Sequence, residues 1–243
     1  MTKDNLNWYS SWFNTPFYHI LYKDRDASEA KRFMENLTAY LNIPKAATIL
    51  DLACGKGRHS VHLNSLGFDV TGLDLSEASI AHAKQFQNET LHFAVHNMSL
   101  PYHKKFDAVF NLFTSFGYFE DETDNLNTIK AIKANLTQNG IGVIDFMNVN
   151  YTLNNLVPED VKHIEGINFK QKRYENEGYI IKDISFEHNN QHYKFQERVK
   201  ALSLDDFKVL FERAGIQLLE TFGDYKLKKY HPEFSERLIM IFM

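Results

Sequence analysis

One stretch constrains the fold of this chain more than any other: an apolar run that stops at a glycine-rich loop. TILDLA, from Thr48 to Ala53, suits a buried parallel strand, and CGKGRH, from Cys54 to His59, follows at once. SVHLNSLG continues as a helix, with Gly67 as its C-cap. The alternation then repeats. FDVTGLDLS reads as a second strand, and Ser76 caps the helix EASIAHAKQF. LHFAVHN and FDAVFNLF read as strands three and four. The helix TDNLNTIKAIKANLTQNG is expected to end at Gly140, before a fifth strand IGVIDFMN. Strands alternating with helices through 47–148 require right-handed crossovers and a parallel sheet covered on both faces.

Residues 1–45 have a different character. Trp8, Tyr9, Trp12, Phe13, Phe17, Tyr18 and Tyr22 precede a helical stretch in which Ala30, Phe33, Met34, Leu37 and Leu41 recur at helical spacing, with Ser28 as the expected N-cap. This predicts an N-terminal helical cap over 1–45. After Asn150 the rhythm breaks again. HIEGINFKQKRYE, GYIIKDISFEH and HYKFQERVKAL are rich in β-branched and aromatic residues, and polar turns at Glu177-Gly178 and Asn189-Asn190 separate them. They predict an antiparallel β insert over 151–200. SLDDFKVLFERAG returns to helix between Ser203 and Gly215, and IQLLETFGDY and RLIMIFM close the chain as two strands. The α/β domain is thus expected over 46–150 and 201–243.

Composition limits the function classes. The 243 residues carry 27 basic and 31 acidic side chains, a net charge of −4 without a basic run, which disfavours nucleic acid as the main partner. The chain has no apolar run of about 18 residues that would span a membrane, and MTKDNLNWYS has no apolar core of a secretion signal. The single cysteine, Cys54, excludes intramolecular disulfides and Cys-rich zinc sites. A cytoplasmic monomer or homodimer is expected.

In an open parallel sheet, ligands collect beyond the carboxyl ends of the strands, where the glycine loop lies. Gly55 and Gly57 would let backbone approach a ligand that a Cβ would block. A dinucleotide fingerprint wants a third glycine where Ser60 stands, and the phosphate loop wants Ser or Thr after Lys56, where Gly57 stands. What remains is Asp51-x-x-Cys54-Gly55-x-Gly57 with an acid, Asp74, ending the next strand. This ordered set resembles the class I S-adenosylmethionine-dependent methyltransferases. The resemblance extends to the third-strand end His96-Asn97-Met98, the fourth strand and the two closing strands. Together with the aromatic start and the segment TSFGYF, it is similar to a bacterial subgroup acting on small substrates.

The resemblance implies a Rossmann-like seven-stranded methyltransferase sheet of order 3-2-1-4-5-7-6 with its last strand antiparallel. It implies S-adenosyl-L-methionine as cofactor, S-adenosylhomocysteine as product and a small-molecule methyl acceptor. On that basis Asp74 accepts from both ribose hydroxyls. Asp51 orients the loop near the sulfonium or amino group. Ala53, Gly55 and Gly57 offer backbone to the methionine part, Leu75 and Met98 enclose adenine, and Leu112 lines the site. Asn97 stands where the family carries Asp, and its side-chain carbonyl is expected to accept from the adenine amino group. Tyr18 and Arg25 are candidates for the cofactor carboxylate.

Methyl transfer needs alignment more than a conspicuous catalytic group. Tyr118, His19, His163 and Asp145 are the candidates for a base, where one is needed. Phe116, Tyr118 and Phe119 are candidate walls for an acceptor, with the insert as its roof. Lys170, Lys172, Arg173, Lys182, Lys194 and Arg198 give the insert a face that would suit an anionic substrate. Cys54 sits in the cofactor loop, Asn111-Leu112-Phe113-Thr114 replaces the signature of nucleobase amino-methylation, and Asp145 with Asn148 makes an incomplete metal set, so no metal is expected. Two alternatives are a non-catalytic module that binds the cofactor and an NAD(P)-dependent oxidoreductase, the latter disfavoured by Ser60.

Overall fold

The computed structural model describes residues 8–23, 27–119 and 121–243. The chain divides into two compact units, 1–25 with 153–201 and 26–152 with 202–243. Two short helices open the smaller unit, α1 (Trp8–Phe13) and α2 (Pro16–Leu21). The larger unit runs α3 (Ala27–Tyr40), β1 (Thr48–Leu52), α4 (Arg58–Ser65), β2 (Asp69–Asp74), α5 (Glu77–Ala83), β3 (Leu91–Val95), β4 (Phe106–Asn111), α6 (Glu122–Asn135) and β5 (Leu136–Met147). Helix α7 (Val149–Asn154) leads into the smaller unit's strands β6 (Glu159–Ile164), β7 (Ile167–Asn176), β8 (Tyr179–His188) and β9 (Gln191–Lys200). Helix α8 (Leu204–Ala214) and strands β10 (Leu218–Phe222) and β11 (Arg237–Phe242) complete the larger unit. The stretch 1–45, read from sequence as one cap, is therefore shared between the units.

The seven-stranded sheet has the order β3-β2-β1-β4-β5-β11-β10. Its first five strands are parallel, and β11 runs antiparallel to both β5 and β10, which is the expected order with the final strand reversed. Ile49, Val70, Ala108, Phe110, Val143 and Ile239 line one face and pack with Phe33, Met34 and Leu37 of α3, Leu63 of α4 and Ile80 of α5. Each large apolar side chain so buried contributes roughly 1.5–3 kcal/mol. The caps follow the sequence: Ser76 Oγ accepts from Ser79 N, and Gly67 (φ +95°) and Gly215 (φ +66°) take left-handed backbone beyond α4 and α8. Ser203 and Asp206 form a reciprocal capping box at the start of α8.

Two boundaries differ from expectation. Helix α6 ends at Asn135, not at Gly140, because Asn135 turns its amide to Tyr102 and Lys104 carbonyls (2.8 and 2.7 Å) and β5 begins at once. Ser28 lies inside the first turn of α3 rather than before it.

In the smaller unit HIEGINFKQKRYE is two strands, folded at Glu165-Gly166, and the sheet order is β6-β7-β8-β9. Glu165-Gly166, Glu177-Gly178 and Asn189-Asn190 all have positive φ at both residues, the requirement of type I′ hairpins. Trp12 and Leu21 pack with Ile167, Phe169, Ile184 and Phe186 on one sheet face. Glu197 Oε1 accepts from Trp12 Nε1 (2.8 Å) and Tyr22 OH (2.6 Å), tying both helices to β9. Among the described residues no helix is long and apolar enough to cross a membrane.

Candidate active site

Beyond β1 the backbone turns left-handed at Ala53 (φ +64°), Gly55 (φ +56°) and Gly57 (φ +79°), and Cys54 N donates to Leu73 O at 2.9 Å. The two glycines answer different demands. A Cβ on Gly55 would meet no heavy atom within 4 Å, so the space over this residue is open. On Gly57, a Cβ would lie 2.6 Å from the Phe93 ring and 3.1 Å from Ala83. Gly57 is thus required by the packing of α4 and α5 on β3, whereas the sequence assigned it to the ligand together with Gly55.

Asp74 closes β2 and faces this loop. Its Oδ2 accepts from Gly55 N and its Oδ1 from Ser76 N, both at 2.8 Å. A carboxylate offers about four acceptor positions, so Asp74 retains capacity for a further donor. Burial raises the Asp74 pKa, opposed by the N–H groups of Ser76, Gly55 and Leu75. Beside it Leu75 is 45% exposed, an apolar surface held out at the strand end. Asp51, buried at the end of β1, accepts from Ser60 Oγ at 2.6 Å. Ser60, which sequence reasoning noted only as a missing glycine, is the residue that holds this acid. Burial lifts the Asp51 pKa to about 6 and the Asp74 charge adds to the rise, while Ser60 opposes it. Burial and the same two acids push the Cys54 thiol well above its ordinary range.

Asn97 departs from its expected use. Its Oδ1 accepts from both Ser99 N and Ser99 Oγ at 3.0 Å, so the carbonyl oxygen is committed to a local turn and the Nδ2 donor is the group left over. Met98 is half-buried, and the Leu112 side chain lies in the core, its carbonyl accepting from Ser115 Oγ at 2.9 Å. Asn111, buried at the end of β4, donates from Nδ2 to Leu52 O at 3.0 Å and so ties the carboxyl ends of β4 and β1 together.

The segment after β4 folds through two successive left-handed residues, Phe113 (φ +59°) and Thr114 (φ +58°). Phe113 N donates to Asp145 Oδ2 at 2.8 Å, and Thr114 N donates to Asp145 O at 3.0 Å. Arg237 Nε donates to Asp145 Oδ1 and Arg237 Nη2 to Thr114 Oγ1, each at 2.8 Å. Tyr225 OH adds a donor to Asp145 Oδ2 at 3.3 Å, and burial of the phenol, followed by the Asp145 charge, pushes its pKa up. Asp145, completely buried and fully engaged, is placed as a structural anchor rather than as an accessible base. Tyr118 OH donates to Thr114 O at 2.5 Å. Phe116 and Phe119 are core residues, Phe116 packing 5.3 Å from Phe207.

The remaining candidates belong to the smaller unit. His19 and Tyr18 sit side by side on α2 of the smaller unit, Tyr18 within the Trp12–Phe13–Tyr22 aromatic cluster. Arg25 falls outside the described residues, and His163 pairs with Asn168 Oδ1 at 2.8 Å on the exposed β6–β7 hairpin. Three of the insert's six named cations are matched to acids: Lys172 faces Glu159, Arg173 faces Asp160 and Lys182 faces Glu197, at 3.2–3.6 Å. They do not form one bare basic face. Asn148 Nδ2 donates to the Pro232 and Ser235 carbonyls, and its Oδ1 accepts from Tyr230 OH at 3.3 Å. Among the described residues no group of three or more His, Cys, Asp or Glu could hold a metal ion.

An open cradle over Gly55, a carboxylate that keeps acceptor capacity and an exposed leucine beside it form a set that fits an amino-acid tail, a sugar diol and a flat base. Residues 49–140 match a family described as "Methyltransferase domain". The chain is 27% identical over 224 residues to the glycine/sarcosine N-methyltransferase of Aphanothece halophytica, covering 86% of this chain and 79% of that protein. It is 33% identical over 104 residues to the dTDP-3-amino-3,4,6-trideoxy-alpha-D-glucopyranose N,N-dimethyltransferase of Streptomyces venezuelae, covering 42% and 43%. Its fold superposes on a crystal structure of an S-adenosylmethionine-dependent methyltransferase from Clostridium acetobutylicum ATCC 824 with a TM-score of 0.78 at 20% identity, over 93% and 95% of the two chains.

Proposed function

We propose, from the premise that this chain is a class I S-adenosylmethionine-dependent methyltransferase, that it methylates an amine nitrogen of a small molecule. The observation that carries the cofactor half is the Asp74 carboxylate, which keeps acceptor capacity beside the open space at Gly55. The amine half rests on similarity to an enzyme named for glycine and sarcosine and to one named for an amino sugar.

When bound, the cofactor supplies an electrophilic methyl group on a sulfonium. The chain's own residues then divide the labour. Asp74 accepts from the ribose hydroxyls in charge-assisted bonds. Leu75 and Met98 enclose the base, and Ala53 and Gly55 present backbone to the amino-acid tail. Asn97 acts through its Nδ2 donor toward a ring nitrogen, because its oxygen already serves Ser99. Asp51 and Asp74 together set a negative field that suits a cation. Fixing the acceptor in line is worth roughly 7–11 kcal/mol of barrier. A neutral amine brings its own lone pair, so attack requires no base, and the product ammonium loses its proton afterwards. That accords with Asp145 and Tyr118, whose polar atoms are engaged within the fold.

Calorimetry with S-adenosylmethionine and S-adenosylhomocysteine tests the first half, and both are expected to bind. A panel of glycine, sarcosine and nucleotide-linked amino sugars, each beside its hydroxyl counterpart, tests the second through released S-adenosylhomocysteine. Turnover with amines alone is the expected result. Turnover only with alcohols would overturn the acceptor class, and the absence of heat with either cofactor form would overturn the whole reading.

A further inference from the structure

Thr114 is the most unusual backbone position beside the site. Left-handed φ is uncommon for any non-glycine residue and an outlier for a β-branched one, and here Phe113 precedes it in the same region. Such backbone persists only where its surroundings over-determine it. The surroundings are explicit. Asp145 receives both amides of the turn, Phe113 N on its side chain and Thr114 N on its carbonyl. Arg237 bridges that carboxylate to the Thr114 hydroxyl. Tyr225 donates to the same carboxylate while its ring packs 4.5 Å from Phe33 of α3. On the other side, His59 in the first turn of α4 stacks on Phe113 at 4.3 Å. The turn is thus clamped by β5 and β11 from one side and touches the helix that opens from the glycine loop on the other.

We infer that Asp145 and Arg237 are positioning residues: they lock Phe113–Thr114 left-handed and so set the segment beyond β4 against the cofactor loop through the Phe113–His59 stack. The purpose of this clamp rests on the methyl-transfer reading, since an in-line reaction tolerates little misplacement of what borders the donor. Its geometry does not rest on that reading.

Amide exchange read by mass spectrometry on the full chain, with and without S-adenosylhomocysteine, tests it. In Asp145→Asn and Arg237→Lys, the Phe113 and Thr114 amides are expected to exchange at least tenfold faster, while the β1, β2 and β3 amides stay within threefold of wild type. Affinity for S-adenosylhomocysteine is expected to stay within threefold. In the wild type the ligand slows exchange at 113–114 at least threefold. In Asp145→Asn that extra protection disappears, while protection at 53–57 and 74–76 persists. Thr114→Gly gives a sign that mere structural support would not: it speeds exchange in the wild type by removing the Arg237 contact and slows it in Arg237→Lys, where glycine relieves the left-handed constraint. Unchanged exchange at the two amides, a rise shared evenly by the whole α/β unit, or one sign for Thr114→Gly in both backgrounds would overturn the proposal. A wild type that binds no ligand, and so gains no protection at 53–57, would instead overturn the cofactor reading and leave the clamp to be judged on the ligand-free exchange.

Discussion

At the scale of single residues, the two acids at the ends of β1 and β2 make opposite use of burial. Asp74 keeps acceptor capacity, so its truncation removes charge-assisted bonds: Asp74→Ala is expected to weaken S-adenosylhomocysteine binding by about 1–3 kcal/mol, measured by calorimetry, and to lower the melting temperature as the Gly55 and Ser76 amides lose their acceptor. An unchanged affinity would remove the ribose assignment. Asp51 is the pH-sensitive member, because burial holds its pKa at about 6. It is protonated below that value and ionised above it. If it faces the positive end of the cofactor, affinity for S-adenosylmethionine should fall roughly tenfold from pH 7 to pH 5 and level off above pH 7. Calorimetry in Asp51→Asn should show a flat profile over the same range. The linkage to stability has the reverse sense. An acid held above its unfolded value binds its proton more tightly in the fold, so its contribution declines as pH rises from 3.8 to about 6, by about 3 kcal/mol in all, and stays constant beyond. Ligand affinity and unliganded stability therefore move in opposite directions with pH, which separates the two effects experimentally.

Among the elements, the glycine loop and α4 show how much a sequence motif tells and where it stops. The loop, the acid after VTGL and the caps at Ser76, Ser203 and Gly215 were legible because each is a local signal within a few residues. The separate duties of Gly55 and Gly57 were not, because Phe93, which excludes a Cβ from Gly57, lies 36 positions further on. The same holds for the clamp, where Arg237 and Asp145 are 92 residues apart. Asn135 overrode Gly140 as the stop of α6 for the same reason: the deciding bonds run back to Tyr102 and Lys104. Two substitutions distinguish the glycines. Gly57→Ala adds left-handed strain of about 1 kcal/mol to an overpacked contact costing about 1–3, so denaturant titration should show a loss of about 2–4 kcal/mol. Gly55→Ala carries the strain alone, yet its methyl group enters the open cradle, so its main effect is expected on cofactor affinity, at least tenfold. Equal stability losses for the two would mean that the space over Gly55 is filled by the chain itself.

For the molecule as a whole, the order of the sheet followed from the alternation of elements and from the resemblance, whereas the partition of the chain did not. Helix α3 shares the buried core of the larger unit through Phe33, Met34 and Leu37, while Trp12 and Leu21 belong to the core beneath the four-stranded sheet. Helical spacing marked Phe33, Met34 and Leu37, and the aromatic run marked Trp12, as packing residues, but neither carried a record of which sheet each would cover, since both cores use the same residue types. The consequence is a division of labour that can be tested by surgery. Asp51, Gly55, Asp74, Leu75, Asn97 and Met98 all lie in 26–152, and that stretch together with 202–243 has its own closed core. A chain that begins at residue 26 and replaces 153–201 with a flexible Gly/Ser linker should unfold in one cooperative transition. It should also bind S-adenosylhomocysteine within about tenfold of the full chain, a difference of at most about 1.4 kcal/mol. Tyr18 and Arg25 are absent from that chain, so the same titration measures whether the cofactor depends on them. A folded product with no measurable binding would show that the residues at the ends of β1, β2 and β3 are insufficient, and would move the cofactor's anchor into the first 25 residues or the insert.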